Sequence, residues 1–176
     1  MRFAGRVGLG LTICAGLGLG AGPAVAQQTI GEIIATIGEE TLELRTLAAD
    51  GGADDYNTAL RDFAGMIDVS VMGFPRGRIA MRNVVQITFM VMRGSLEPIQ
   101  QEVIFAPEGM SRIWTSLDGE DLITIESLDT SAPIGAVSGR FSGRVCLKSG
   151  IMAEPDPDEC RDIEGTFASR LPHQDG

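Results

Sequence analysis

The chain has 176 residues, with 24 acidic against 14 basic side chains and a formal net charge of −10, a length that suits one domain with a substantial core. An acidic surface repels phosphate backbones and anionic headgroups, so nucleic acid and peripheral membrane binding are disfavoured. The sole histidine, His173, sits in the tail and no glycine-rich phosphate loop is present, which sets aside Ser-His-Asp, Cys-His and multi-histidine metal sites.

Arg2 and Arg6 open the chain, no charge falls between Val7 and Gly22, and Ala24-Val25-Ala26 has the small–x–small pattern that a signal peptidase reads. Residues 1–26 therefore read as a secretory signal peptide, cut between Ala26 and Gln27 with Ala24 and Ala26 as the small residues. The apolar run is shorter than the roughly 20 residues of a spanning helix, so a membrane anchor is the weaker reading. Cys14 follows Ile13, where a lipoprotein signal wants Gly, Ala or Ser, and leaves with the leader. The processed chain loses two positive charges, holds no transmembrane segment and is expected to be exported, either periplasmic or extracellular.

Beyond Gln27 the dominant pattern is alternation with period two, the mark of strands with one buried face. Ile33, Ala35 and Ile37 form a first strand, Gly38-Glu39-Glu40 a turn, and Leu42 and Leu44 a second strand. Asp50-Gly51-Gly52 breaks the chain. Tyr56, Ala59, Leu60 and Phe63 then fall at helical spacing and predict one short helix, with Asp54 or Asp55 as its cap. Strands are predicted over 67–72, 85–92, 99–105, 113–116, 122–128, 137–146 and 163–171, with Gly73-Phe74-Pro75, Arg93-Gly94-Ser95 and Asp118-Gly119 among the turns. About nine short strands and at most one helix predict a single all-β domain over residues 27–171, an antiparallel β-sandwich or barrel. Residues 172–176 are expected to form a disordered tail.

Cys146 and Cys160 are the cysteines left after cleavage. In an oxidising compartment an even pair is most simply a disulfide. Placed opposite one another on antiparallel strands, they set a register for the whole C-terminal hairpin. Gly139 then faces Phe167, Phe141 faces Gly165, Gly143 faces Ile163, and Arg144 meets Asp162 on the other side. Each large apolar side chain covers the bare backbone of a glycine. No Cys-x-x-Cys spacing and no neighbouring histidine favours a redox-active pair.

Other clusters have bland readings beside sharper ones. Glu154-Pro155-Asp156-Pro157-Asp158-Glu159 reads as a solvated acidic loop, with calcium as the alternative for its hard oxygen donors. Asp50, Asp54 and Asp55 read as helix-capping residues. Met90 and Met92 read as core filler rather than soft ligands for Cu(I). Arg76, Arg78 and Arg82 crowd a turn and strand start, and read as a hydrated sheet edge rather than an anion site.

From Leu122-Ile123-Thr124-Ile125, through Val137-Ser138-Gly139-Arg140-Phe141-Ser142-Gly143 and the Cys-loop-Cys, to Ile163-Glu164-Gly165-Thr166-Phe167, the last third resembles uncharacterised small secreted all-β domains of bacteria. The resemblance implies an all-β domain and carries no catalytic residue across. The expected function is a non-enzymatic exported β domain, a binding or structural module of the periplasm or cell envelope, with no cofactor or metal. Its partner is expected to be an envelope protein or a small apolar ligand. The alternative is a calycin-like barrel carrying a small apolar ligand inside, for which an interior cavity of about 300 Å³ or more would be needed. A carboxylate-based hydrolase is the enzymatic alternative.

Overall fold

The computed structural model describes residues 28–48, 58–109, 111–117, 119, 121–150 and 153–174. The leader with its cleavage site at Ala24, Ala26 and Gln27, the acidic cluster Asp50, Asp54 and Asp55, and Tyr56 lie outside the described residues. The described chain is all-β, with ten antiparallel strands: β1 (Gln28–Ile37), β2 (Glu40–Ala48), β3 (Ala59–Phe63), β4 (Met66–Pro75), β5 (Val84–Met92), β6 (Pro98–Ala106), β7 (Ile113–Ser116), β8 (Ile123–Asp129), β9 (Ile134–Lys148) and β10 (Asp156–Pro172).

The order β10-β1-β2-β4-β5-β6-β7-β9 is hydrogen-bonded throughout, and β9 pairs back onto β10. The sheet thus closes on itself in a ring, which removes the open edges that a flat sheet would leave. Two long strands change partners along their length. β4 takes β3 at residues 66–70 and β2 at 73–75, while β9 takes β8 at 136–141 and β7 at 145–148.

Alternating apolar residues point into the ring. Ile33, Val69, Ile87, Phe89, Phe141 and Phe167 are all buried in one continuous cluster. Phe89 and Phe167 meet with ring centroids 6.3 Å apart and planes tilted by 48°, a favourable tilted arrangement. Trp114 also belongs to this cluster, and the Arg161 guanidinium lies 4.2 Å from the centroid of its ring, close enough for a cation–π contact.

The β9–β10 hairpin has the register expected from its cysteines. Cys160 pairs with Cys146, Asp162 with Arg144, Ile163 with Gly143, Gly165 with Phe141 and Phe167 with Gly139. Cys146 and Cys160 form a disulfide. A Cβ built on Gly139 would stand 2.7 Å from the Phe167 ring, and one on Gly165 would stand 2.7 Å from the Phe141 ring and 2.1 Å from the Ile34 carbonyl oxygen. The glycines are therefore the space that the rings and the neighbouring strand occupy.

Two expectations are corrected. Ala59, Leu60 and Phe63 lie on β3, not on a helix; Ala59 and Leu60 are buried, whereas Phe63 is 68% exposed. The β3–β4 turn, Ala64-Gly65, has φ of 50° and 88°, positive at both positions as the tight two-residue hairpin requires. Pairing with β4 outweighs a helical spacing that only three or four residues carried. The strand count is accordingly ten rather than nine. The tail is held further than expected: Pro172 ends β10, the His173 N–H donates to the Pro133 carbonyl at 3.1 Å, and the Gln174 N–H donates to the Leu60 carbonyl at 3.0 Å.

Gly165→Ala is expected to lower stability by about 1–3 kcal/mol, because overpacking moves a ring or a strand; urea unfolding followed by circular dichroism measures it. Non-reducing mass mapping should recover a 146–160 link. The Cys146→Ser/Cys160→Ser variant should unfold with roughly 3 kcal/mol less stability, the scale for closing a loop of this size.

Candidate functional site

The ring interior is occupied by packed side chains, and concave surface lies outside it. Two depressions lie on the outer face of β4–β6, towards opposite ends of β5 and β6.

The first is a polar cleft of about 630 Å³ beside residues 98–102 of β6, and Asp68, Glu102 and Asp121 line it. Each carboxylate already has a partner. Asp68 faces Arg61 at 3.5 Å, Glu102 accepts from the Thr115 hydroxyl at 2.9 Å, and Asp121 accepts from the Gln101 side-chain amide at 3.2 Å. The Gln101 carbonyl oxygen in turn accepts from the Leu122 and Ile123 backbone N–H groups at 3.0 and 2.7 Å. One side chain thereby spans the gap between β6 and β8, which do not pair by backbone. These polar groups are committed to holding the fold together.

The second is an apolar groove of about 290 Å³. It originates in a lapse of alternation: Val71, Met72, Gly73 and Phe74 are buried in succession. Val71 points into the ring, whereas Met72 and Phe74 point outwards and join Leu47, Val84, Ala106 and Ile113 in a second cluster on the outside. The β4–β5 loop, residues 76–83, folds over this face and brings Ile79 and Met81 to the groove. Arg76 and Gly77, with φ of 59° and 61°, reverse the chain after Pro75. The far end is tied down by the Asn83 N–H, which donates to the Pro107 carbonyl at 3.3 Å. Gly109 allows the close approach there, since its Cβ would stand 3.1 Å from the Met81 carbonyl oxygen. At the mouth Ile79 and Met81 are 45% and 57% exposed.

Arg76, Arg78 and Arg82 are all exposed on this loop, and residues 76–83 contain no acidic side chain. None of the three arginines is in an ion pair among the described residues. The expectation that they guard a sheet edge is corrected, because β4 and β5 flank the loop as paired neighbours within the ring. They lie on the loop that brings Ile79 and Met81 to the apolar groove, outside the groove's own lining.

The remaining candidates are dispersed. Met90 and Met92 are not core filler: both lie on the outer side of β5, opposite in parity to buried Phe89 and Val91, and Met92 is 52% exposed. Asp156, Asp158 and Glu159 are exposed at the start of β10, where the Asp156 carboxylate accepts from the Asp158 N–H at 3.0 Å. Among the described residues no group of three or more His, Cys, Asp or Glu side chains is arranged to hold a metal. Asp129 is held below the ordinary aspartate pKa, chiefly by the Ser131 hydroxyl and then the Ser131 N–H, which both donate to its carboxylate. His173 Nε2 is buried without a hydrogen-bond partner among the described residues.

The groove had a sequence signal that alternation alone concealed. Met72 and Ile104 occupy outward positions on strands whose inward positions were already apolar, and Ile79 and Met81 are interleaved with Arg78 and Arg82.

No protein-family model, curated protein or solved structure matches the chain. Among the described residues no helix is long and apolar enough to cross a membrane.

Gln101→Ala should cost about 1–3 kcal/mol in urea unfolding, because two buried backbone N–H groups lose their acceptor.

Proposed function

We propose that this protein is an exported, non-enzymatic β-barrel module of the periplasm or cell envelope, and that it binds an apolar ligand group on its outer surface. The observation that carries this reading is the groove of about 290 Å³ formed by outward side chains of β4, β5 and β6 beneath the 76–83 loop. Small-molecule sites are concave and mostly apolar, with volumes from about 300 Å³ upward. Here the lining is apolar apart from Gln86. The loop over the groove reverses at Arg76-Gly77 and is tied by the Asn83 N–H to Pro107, so the groove is held by the chain's own contacts, and a preformed site avoids ordering costs on binding.

The calycin-like alternative would place the ligand inside the ring. Support for it is weaker, because Ile33, Ile87, Phe89, Phe141 and Phe167 already meet there. Export is supported by the leader pattern of residues 1–26 and by the Cys146–Cys160 disulfide, a bond that persists in oxidising compartments.

Titration with N-phenylnaphthylamine, whose fluorescence rises in apolar surroundings, tests the groove. Saturable one-to-one binding is expected, weakened about tenfold or more in Ile79→Ser/Met81→Ser, since each lost side chain removes up to about 1.5–3 kcal/mol of apolar contact. Both positions are exposed, so the fold should survive, and unchanged Trp114 emission serves as the control. Probe binding that ignores the double substitution would place the site elsewhere.

A further inference from the structure

Resting on the groove reading above, we propose that the natural occupant is a fatty-acid anion. Its acyl chain would lie along Met72, Phe74 and Ile104, with its carboxylate held by arginines of the 76–82 segment.

The charge distribution points to an anion. The chain as a whole is strongly acidic, with a net charge of −10. Yet the loop that roofs its apolar groove carries three arginines and no acidic residue. Arg78 and Arg82 immediately flank Ile79 and Met81, the two side chains exposed at the groove mouth. Guanidinium groups without ion-pair partners are suited to bind carboxylates through two parallel hydrogen bonds. An apolar trough whose covering loop carries arginines beside its two mouth residues is complementary to a molecule that is apolar along its length and negative at one end.

The dimensions point to a single chain. The groove spans the width of three strands, about 10 Å at the usual strand spacing. Its volume of about 290 Å³ lies at the small end of ligand sites. A folded partner would need about 1,200 Å² of buried surface or more. Among the described residues, only Ile79 and Met81 of the exposed large apolar side chains stand at the groove mouth as anchors for one. A membrane surface fits poorly as well, because anionic headgroups would meet the acidic remainder of the molecule.

The test compares dodecanoate with dodecanol, both below their aggregation limits, as competitors of N-phenylnaphthylamine on the purified, delipidated protein. Dodecanoate should displace the probe at a tenfold or lower concentration than dodecanol does, and this advantage should shrink in about 1 M salt, where screening is nearly complete within a few ångströms. In Arg76→Gln/Arg78→Gln/Arg82→Gln, dodecanoate should fall to the potency of dodecanol, with dodecanol unchanged. Equal potency in the wild type would overturn the fatty-acid assignment and leave the groove reading standing. Probe binding that is absent, or indifferent to Ile79→Ser/Met81→Ser, would overturn the groove reading itself. Two further outcomes would replace the fatty acid as occupant. One is arginine-dependent sedimentation with anionic phosphatidylglycerol vesicles without competition by dodecanoate, which assigns a membrane surface. The other is a dimer that the arginine substitutions dissociate, which assigns a second copy.

Discussion

Closure of the sheet depends on the interlock of rings and glycines between β9 and β10. β10 is the strand on which both ends of the ring meet: β1 lies on one side of it and β9 on the other. A strand that must pair on both edges and also fill the interior leaves no slack for side-chain volume. Phe141 and Phe167 supply the volume, and Gly165 and Gly139 directly opposite supply the room. Gly165 is constrained twice, by the Phe141 ring and by the approach of β1 through the Ile34 carbonyl. The disulfide at Cys146–Cys160 then fixes the hairpin at the end away from the β8–β9 turn. Because the side-chain period of a strand is two, a slip of β10 by one residue would turn Ile163, Phe167 and Leu171 out of the core together.

A filled ring has a consequence for binding. Once the inward positions are packed, any recognition would have to use the outer face. On most strands that face is polar, as in Glu32 and Arg45, which form an ion pair across β1 and β2. The exception is the stretch that runs from Leu47 through Phe74 and Val84 to Ala106 and Ile113. Outward apolar side chains on five successive strands would leave a contiguous hydrophobic patch, the kind that marks an interaction site on a monomer. The 76–83 loop covers part of it and leaves the groove. The loop is thus both cover and rim, and its two attachments, the reversal at Arg76-Gly77 and the contact of Asn83 with Pro107, determine how much of the patch stays open.

The parts of this architecture that were legible in the sequence are those governed by period two and by opposite-strand complementarity. The strands around Val85, Ile87 and Phe89 announce themselves, and the hairpin register follows from two cysteines because four glycine or charge pairs agree with it. What was not legible is what depends on partners distant in sequence. Ala59, Leu60 and Phe63 fit a helical spacing as well as they fit a strand, and only the exposed ladder of β4 decides between them. The turn at Ala64-Gly65 lacks the Asn-Gly or Asp-Gly signature of its type. Gln101 reads as one more polar residue on a half-buried strand, although it bridges β6 to β8 where the backbone cannot. The groove was hidden for the same reason. Met72 is an ordinary residue at a polar position until the loop that begins four residues further on folds back over it.

The arginines show why net charge is a weak guide to partners at close range. A total of −10 governs the field many ångströms away, where individual positions merge. At physiological ionic strength that field is damped within about 8 Å. A ligand in contact with residues 76–82 therefore experiences mainly the three nearby guanidinium groups, whose attraction is not cancelled by any acidic side chain on the same loop. The distant acidic surface acts differently on different molecules. An extended anionic surface must approach the whole domain and is repelled by most of it, while a small anion needs only the loop. The same charge pattern that disfavours membranes and nucleic acids is therefore compatible with capture of a single carboxylate, and the apolar trough under the same loop would select, among carboxylates, those with a chain to bury.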